Sequence, residues 1–247
     1  METLDANALL RVWERGALQG TVNRGLLLLS AALPGRAVEQ LASLTIGERD
    51  SVLLSLREQL FGSRMECLTS CESCGETIEL DLSVDGIRAE HGQAGVTHEL
   101  EVDGFVVSFR LPDSSDLQHL ERASGGGEPE RMLLERCVLD VRARDAESAL
   151  VPVIEPLPAA VVSAIDARMG EVDAQAQVQL AMTCPACRRE FHAPFDVVGF
   201  LWTELERWSR GLLREVHVLA SAYGWTEPDV LALGHARRRF YLEQVSA

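Results

Sequence analysis

Two Cys-x-x-Cys pairs limit what this chain can fold into more than any other feature. Cys71 and Cys74 lie in CESCGETIELDL, and Cys184 and Cys187 lie in CPACRREFHAPFDV, so each pair runs into a strand-like segment. A tetrahedral Zn²⁺ binds thiolate sulfurs at about 2.3 Å, and two tight turns that each present two sulfurs satisfy it. The spacing therefore predicts that all four cysteines bind one structural Zn²⁺. Such a site would join points that lie about 110 residues apart in the chain.

Three other interpretations of the two pairs stay open at this point. Disulfides would require an oxidising compartment, and the N-terminal METLDANALL lacks the basic and apolar regions of a secretory signal. A redox-active pair would sit at the start of a helix, whereas Ile78, Leu80 and Leu82 alternate with polar residues as a strand does. The cysteines could also be structural thiols that bind no metal.

Two further side chains could compete as ligands, and a third thiol has another explanation. Cys67 precedes Cys71 by four residues and could replace a ligand if the chain were helical there. His192 follows Cys187 by five residues, but it alternates with Phe191 in a predicted strand. Cys137 lies on the apolar side of the helical pattern RMLLERCVLDV, which predicts a small core residue.

No catalytic group of residues emerges from the sequence. The histidines outside the second knuckle are scattered and show no H-E-x-x-H spacing. Four cysteine ligands would also close a zinc site and leave no coordination position for an activated water. We therefore expect no enzymatic activity.

The net charge of −15 is concentrated between the two pairs, where residues 75–183 contain 21 acidic residues and 8 arginines. Only Arg188 and Arg189 adjoin a knuckle, whereas a protein that binds nucleic acid needs cations to neutralise phosphates. The charge distribution thus favours protein partners over nucleic acid. A zinc-ribbon regulator that binds nucleic acid is the alternative function. No apolar run approaches the roughly 18 residues that a membrane span needs. The sequence therefore predicts a cytoplasmic protein that has no membrane span.

The hydrophobic pattern predicts an α+β fold that is mostly helical. Its centre would be a small antiparallel zinc-ribbon-like β-structure built from the two Cys-x-x-Cys knuckles. Five regions follow from the changes of period: an N-terminal helical region (1–66), the first knuckle with a β-hairpin (67–112), an acidic helical insert (113–175), the second knuckle strand (176–195) and a C-terminal helical region (196–247).

Several local signals support this division. Thr45 and Glu48 form a capping-box pattern ahead of a helix that should end at Phe61 and Gly62. Asp103-Gly104 between HELEV and FVVSFRL predicts a hairpin. Residues 132–141 show a helical pattern, with SGGGEPE and VPVIEPLP as the breaks on either side.

The last fifty residues carry a long apolar stripe that serves either as core or as a seam for a partner. Trp202 and Trp208 lie at its edge, where large aromatic side chains anchor interfaces or wedge against the ribbon. A capping signal at Thr226 starts a further helical segment. The basic triplet 237–239 imitates a recognition helix, but the charge of its neighbourhood is balanced.

The stretch LLREVHVLASAYGWTEPDVLALGHARRRFYLEQV, together with LTIGERDSVLLSLREQLFG, resembles the T4-type phage baseplate protein family of contractile injection systems. That family is similar to the T4 baseplate hub subunit and hub assembly chaperone. The specific part of the resemblance is REVHxLAxxYGWxExxxLAL...RRxxYLE. It is carried by Arg214, Glu215, His217, Leu219, Ala220, Tyr223, Gly224, Trp225, Glu227, Arg238, Tyr241 and Leu242.

The resemblance implies a non-enzymatic structural or chaperone-like assembly component of the baseplate hub. Its expected partners are other baseplate, spike or tail-tube proteins, and whether it stays in the finished particle is left open. Together with the edge tryptophans, the family-like stretch supplies the predicted partner-binding residues: Trp202, Trp208, Tyr223, Trp225, Arg238 and Tyr241.

Overall fold

The structure, a computed structural model, describes residues 4–123, 128–143 and 157–245. It begins with four helices: α1 Ala6–Gly16, α2 Thr21–Ala32, α3 Val38–Ala42 and α4 Ile46–Phe61. The predicted capping box begins α4, since the Glu48 N–H donates to Thr45 Oγ1 at 3.1 Å and the Thr45 N–H donates to Glu48 Oε2 at 3.0 Å. Gly62, with a φ of +87°, ends α4 where the sequence predicted.

Short strands and helices alternate through the middle of the chain. They are β1 Arg64–Ser70, β2 Thr77–Ser83, α5 Val84–Ile87, β3 Thr97–Val102, β4 Phe105–Arg110, α6 Ser114–Arg122, α7 Pro129–Cys137, β5 Val138–Ala143, α8 Ala159–Val172 and a 3₁₀ turn at Ala174–Gln177. Strands β6 Gln179–Thr183 and β7 Glu190–Pro194 follow, then helices α9 Val197–Tyr223, α10 Glu227–Leu231 and α11 His235–Val245. No helix in the described part of the chain is long and apolar enough to cross a membrane.

Within residues 4–123, 128–143 and 157–245 the strands form three small antiparallel sheets, which confirms the predicted α+β class. Strands β1 and β2 form one hairpin, β6 and β7 form another, and β3, β4 and β5 form a three-stranded sheet in that order. The Asp103-Gly104 turn joins β3 to β4 as predicted, and both residues have positive φ, at 49° and 77°. The two knuckle hairpins are separate sheets and do not form one continuous ribbon.

The predicted helix over residues 132–141 is wrong in its second half. Helix α7 ends at Cys137, and the next residues form β5, which pairs with β4. Val138 and Val141 are buried against a core that includes Phe109 and Ile165. The sequence VLDV is short enough to fit either period, and pairing with a strand distant in sequence decides it. The predicted breaks around this helix lie partly outside the described residues.

Three cores hold the described part of the chain together. The largest contains α1, α2, α4 and the first half of α9, together with the roots of the first hairpin at Met65 and Val84. The second lies between the three-stranded sheet and α8, and the third joins the second half of α9 to Leu10 and α10. The predicted region 67–112 is not a unit of its own, because β1 begins at Arg64 and the sheet of β3 and β4 also contains β5. The predicted regions are segments of the chain that share hydrophobic cores.

Candidate metal centre

Each Cys-x-x-Cys pair forms the turn at the tip of a two-stranded hairpin. In the first turn the Gly75 N–H donates to the carbonyl of Cys71 at 2.8 Å, and in the second the Arg188 N–H donates to the carbonyl of Cys184 at 2.9 Å. Gly75 and Arg188, one residue past the second cysteine of each pair, both have positive φ, at 75° and 61°. The two knuckles therefore share one backbone geometry, as the sequence predicted.

The two turns bring all four predicted ligands together. The Sγ atoms of Cys71 and Cys187 are 3.7 Å apart, those of Cys74 and Cys184 are 3.6 Å apart, and all four lie within 4.8 Å of one another. A regular tetrahedron with bonds of about 2.3 Å has sulfur–sulfur edges of about 3.8 Å, whereas a disulfide requires about 2.05 Å. The arrangement suits a metal ion held between the two hairpins, and the cysteines are all free.

A redox-active pair fits this geometry poorly. Each knuckle leads into a strand, β2 or β7, and not into a helix whose N-terminal dipole would stabilise a thiolate. Sulfur–sulfur contacts of 3.7 and 3.6 Å also join the two knuckles, so the four thiols form one cluster and not two separate redox pairs.

The four thiols differ in their burial, and backbone amides shift the pKa of two of them. Cys71 and Cys184 are buried, whereas Cys74 and Cys187 are exposed. The backbone N–H groups of Cys187 and Ala186 lower the pKa of the Cys184 thiol to about 7. At Cys74 the backbone N–H of Glu76 lowers the pKa, but desolvation and the three other sulfurs outweigh it and raise the pKa to about 12. Ionisation of the Cys74 thiol is thus unfavourable unless a bound cation stabilises the thiolate.

The donor set restricts which cation fits. Four thiolates in a tetrahedral arrangement are soft ligands that suit Zn²⁺ or iron, whereas Mg²⁺ and Ca²⁺ prefer oxygen. A side-chain contact also joins the knuckles, because Arg189 Nη1 donates to Ser73 Oγ at 3.1 Å. A cationic side chain here would offset part of the negative charge of a tetrathiolate centre. The spacing of the cysteines predicted the sulfur cluster, but no sequence pattern predicted the contact between Arg189 and Ser73.

A comparison with known families identifies the kind of chain that carries this cluster. The sequence model of the family described as T4 bacteriophage base plate protein matches residues 28–202. The chain belongs to this family. Membership of this family supports a role for the chain as a structural component of a phage baseplate. No curated protein and no solved structure gives a significant match.

The matched range of this base plate protein contains α4 and both knuckles, and it ends within the second turn of α9. Of the two stretches that carried the resemblance in the sequence, LTIGERDSVLLSLREQLFG lies inside the range. The C-terminal stretch lies beyond it.

The alternative ligands stand apart from the cluster. Cys67 lies within β1 opposite Leu80, and burial raises the pKa of its thiol. His192 is an exposed residue of β7 that pairs with Ala181. Among the described residues, the cluster consists of the four knuckle cysteines alone.

Three of the predicted partner-binding residues, Trp202, Trp208 and Arg238, are buried or half-buried within the fold. Trp202 is 3% exposed, packs in the largest core and lies beneath the Arg24 guanidinium at 4.7 Å. Trp208 is half-buried at the junction of two cores. Arg238 is 8% exposed, and its Nε donates to Glu215 at 3.0 Å. A buried Trp202 offers no surface to a partner in this conformation.

The other three predicted partner residues form an aromatic group at the end of α9. The ring of Trp225 stacks on Tyr223 with centroids 4.8 Å apart and meets Tyr241 edge-on at 4.9 Å. Tyr223 is 39% exposed. Their role in partner binding stays a prediction.

Proposed function

We propose that this chain is a non-enzymatic structural component of the baseplate hub of a phage-tail-like contractile injection system, and that it binds one structural Zn²⁺. The observation that carries the proposal is the set of four sulfurs at tetrahedral spacing, inside a chain that belongs to the base plate protein family. The family supports a place in the baseplate, and the donor set supports the metal.

The metal acts as a clamp between the hairpin tips. The roots of both hairpins pack on the largest core through residues such as Met65 and Leu180, but no strand pairing joins the tips. A bound ion would close a long stretch of chain in the folded state, and its binding free energy would add to that of folding. The clamp fixes the relative position of β1–β2, β6–β7 and the start of α9.

The same donor set argues against catalysis at this centre. Four thiolate ligands fill a tetrahedral Zn²⁺ and leave no position for a water that could be activated. The role we propose is assembly, either as a resident hub subunit or as a chaperone-like factor that delivers one.

Metal analysis of protein purified without chelator tests the zinc. We expect one Zn²⁺ per chain, and we expect Cys74→Ser and Cys187→Ser to lose it and to melt at a lower temperature. Cys67→Ser is the matched control, since it changes a thiol of the same hairpin outside the cluster and should retain the metal. A chain that folds with no stoichiometric metal would refute this part of the proposal.

Co-expression with the tail-tube, spike and wedge proteins of the same gene cluster tests the assembly role. We expect the chain to co-purify with at least one of them through size-exclusion chromatography. If each of them elutes apart from the chain under these conditions, the assembly role is wrong.

One observation favours a nucleic-acid-binding regulator as the second candidate, namely the exposed Arg188 and Arg189 at the second knuckle. Glu72 and Glu76 in the first turn and Glu190 at the start of β7 are exposed acidic residues that offset this positive charge. We therefore expect no binding of duplex DNA in a filter assay, even at low salt where phosphate contacts are strongest. Tight, salt-sensitive binding would favour the regulator.

A further inference from the structure

We propose that a groove formed by the two knuckle hairpins and α9 binds an extended segment of a partner protein in which basic side chains alternate with apolar ones. This hairpin groove has a volume of about 900 Å³ and is lined by β1, β2, β6, β7 and the first three turns of α9. The inference rests on the proposed function in one respect, because the metal would hold the walls of the groove together.

The floor of the groove is apolar. Leu80 and Leu180, one from each hairpin, and Phe195 and Phe200 at the start of α9 line it and are half-buried. The two phenylalanine rings lie 5.2 Å apart, and Leu180, Phe195 and Phe200 pack on the largest core from its outer side. Leu68, also in the lining, is 70% exposed. Burying such surfaces under a partner would remove apolar area from water and so favour a complex.

The rim of the groove is acidic. Glu66, Glu79, Asp81 and Asp196 line it, against a single lining cation, Arg207. Glu66 lies directly opposite Asp81 in the β1–β2 register, and like charges in that position destabilise a hairpin. Arg64 pairs with Asp81 from outside the lining and offsets only part of this repulsion. Basic side chains of a partner would complement the remaining negative charge.

The walls favour an extended occupant. Each of the four strands pairs with only one neighbour in the described structure, so each hairpin has edges whose backbone N–H and C=O groups have no strand partner. A peptide in extended conformation can satisfy such edges while its alternate side chains point to opposite faces. One set would reach the apolar floor, and the other would reach the acidic rim.

Charge also indicates which molecule supplies the segment that binds in the groove. The parts of this chain outside the described residues contain four acidic residues and one arginine, so they do not complement an acidic rim. A second copy carries a net charge of −15 and would be repelled at long range. The occupant that fits is a basic segment of a different protein.

Fluorescence anisotropy with two synthetic peptides tests the groove in full-length, zinc-loaded protein. The first peptide has about twelve residues that alternate arginine with valine or leucine, and the second has glutamate in place of every arginine. We expect the basic peptide to bind at least about tenfold more tightly than the acidic one at 0.15 M salt.

Charge reversal locates the binding. The double variant Glu66→Lys/Glu79→Lys should weaken binding of the basic peptide by at least about tenfold, and Leu68→Ser by several-fold. The matched control is Glu14→Lys/Glu39→Lys, which makes the same charge change at exposed positions of α1 and α3. It should change the affinity by less than about twofold. All of these side chains are exposed, so circular dichroism should show an unchanged fold.

Three results would overturn the inference: no binding of the basic peptide, equal loss in the groove and control variants, or dimerisation of the chain that Glu66→Lys/Glu79→Lys abolishes. The last result would assign the groove to a second copy. The zinc proposal fails separately. Groove-dependent binding by a chain that holds no zinc would refute the metal and keep the groove, whereas stoichiometric zinc without such binding would do the reverse.

Discussion

At the scale of single residues, the residue that follows the second cysteine differs between the two knuckles. Gly75 and Arg188 both follow the second cysteine of their pair, and both have positive φ. Glycine adopts this conformation without steric cost, whereas a residue with a Cβ is strained there by about 1–2 kcal/mol. The first knuckle is thus relaxed at this position, and the second knuckle carries strain.

This difference predicts opposite effects of two substitutions. Arg188→Gly should raise the melting temperature by about 2–4 °C because it removes about 1 kcal/mol of strain, and Gly75→Ala should lower it by a similar amount. Arg189→Gly, one residue further along, is the control for loss of an arginine and should not stabilise. A lower melting temperature for Arg188→Gly would show that its side chain, not its backbone, matters there.

Asp116 shows a second effect of single residues, in a buried ion-pair cluster. Its carboxylate accepts hydrogen bonds from Arg110 at 2.7 and 2.8 Å and from Arg136 at 2.7 Å, and its side chain is fully buried. Burial alone would raise the pKa of Asp116, but the arginines and the backbone N–H of Asp113 outweigh it and hold the pKa below its usual value.

A lowered pKa makes this stabilisation dependent on pH. The contribution of Asp116 is fully present above the ordinary aspartate pKa of about 3.9 and is lost as the pH falls through the lower pKa of the folded protein. Asp116→Asn should therefore reduce the free energy of unfolding by about 3 kcal/mol at pH 7, and the gap from the wild type should narrow below about pH 4. Urea titrations at several pH values measure it. A gap that stays constant down to pH 3 would contradict the assignment.

At the scale of elements, the knuckle hairpins are fixed at both ends by different forces. Their roots are held by apolar contacts with the largest core, whereas the four sulfurs and the Arg189–Ser73 contact bring their tips together. The helices of the core do not depend on the tips for their packing. Removal of the metal should therefore loosen the tips before the helices unfold.

Hydrogen exchange measures this difference in stability between elements. After chelation we expect faster exchange in the turns at residues 71–76 and 184–189, with little change along α4 and the first half of α9. The chelator should cause no further change in Cys74→Ser, which already lacks a ligand. Uniform loss of protection through α4 and α9 would mean that the metal stabilises the whole fold and not the tips.

Elements also show why the sequence predicted some features and missed others. The α4 capping box, the Asp103-Gly104 turn and the knuckles are set by residues within a few positions of one another, and all three are found. Strand β5 was predicted as helix because its pairing with β4 depends on residues distant in sequence. The hairpin groove was missed for the same reason, since five elements from two parts of the chain line it.

At the scale of the whole molecule, the sulfur cluster joins the two ends of a long excursion. Residues 75–183 hold nearly all of the excess negative charge, and part of this excursion builds its own core around β3–β5 and α8. The main core is assembled mostly from chain before and after it, with Val84 and Ile87 added from its first part. A metal at the two knuckles would fix where the acidic part leaves the main body and where it returns.

X-ray absorption at the zinc edge is the most direct test of this central claim. In protein purified without chelator, we predict one Zn²⁺ per chain with four sulfur neighbours at about 2.3 Å and no nitrogen or oxygen in the first shell. Substituting Cys74 or Cys187 with serine should remove the ion. A folded wild-type chain with no bound metal, or a metal with fewer than four sulfur ligands, would contradict the account.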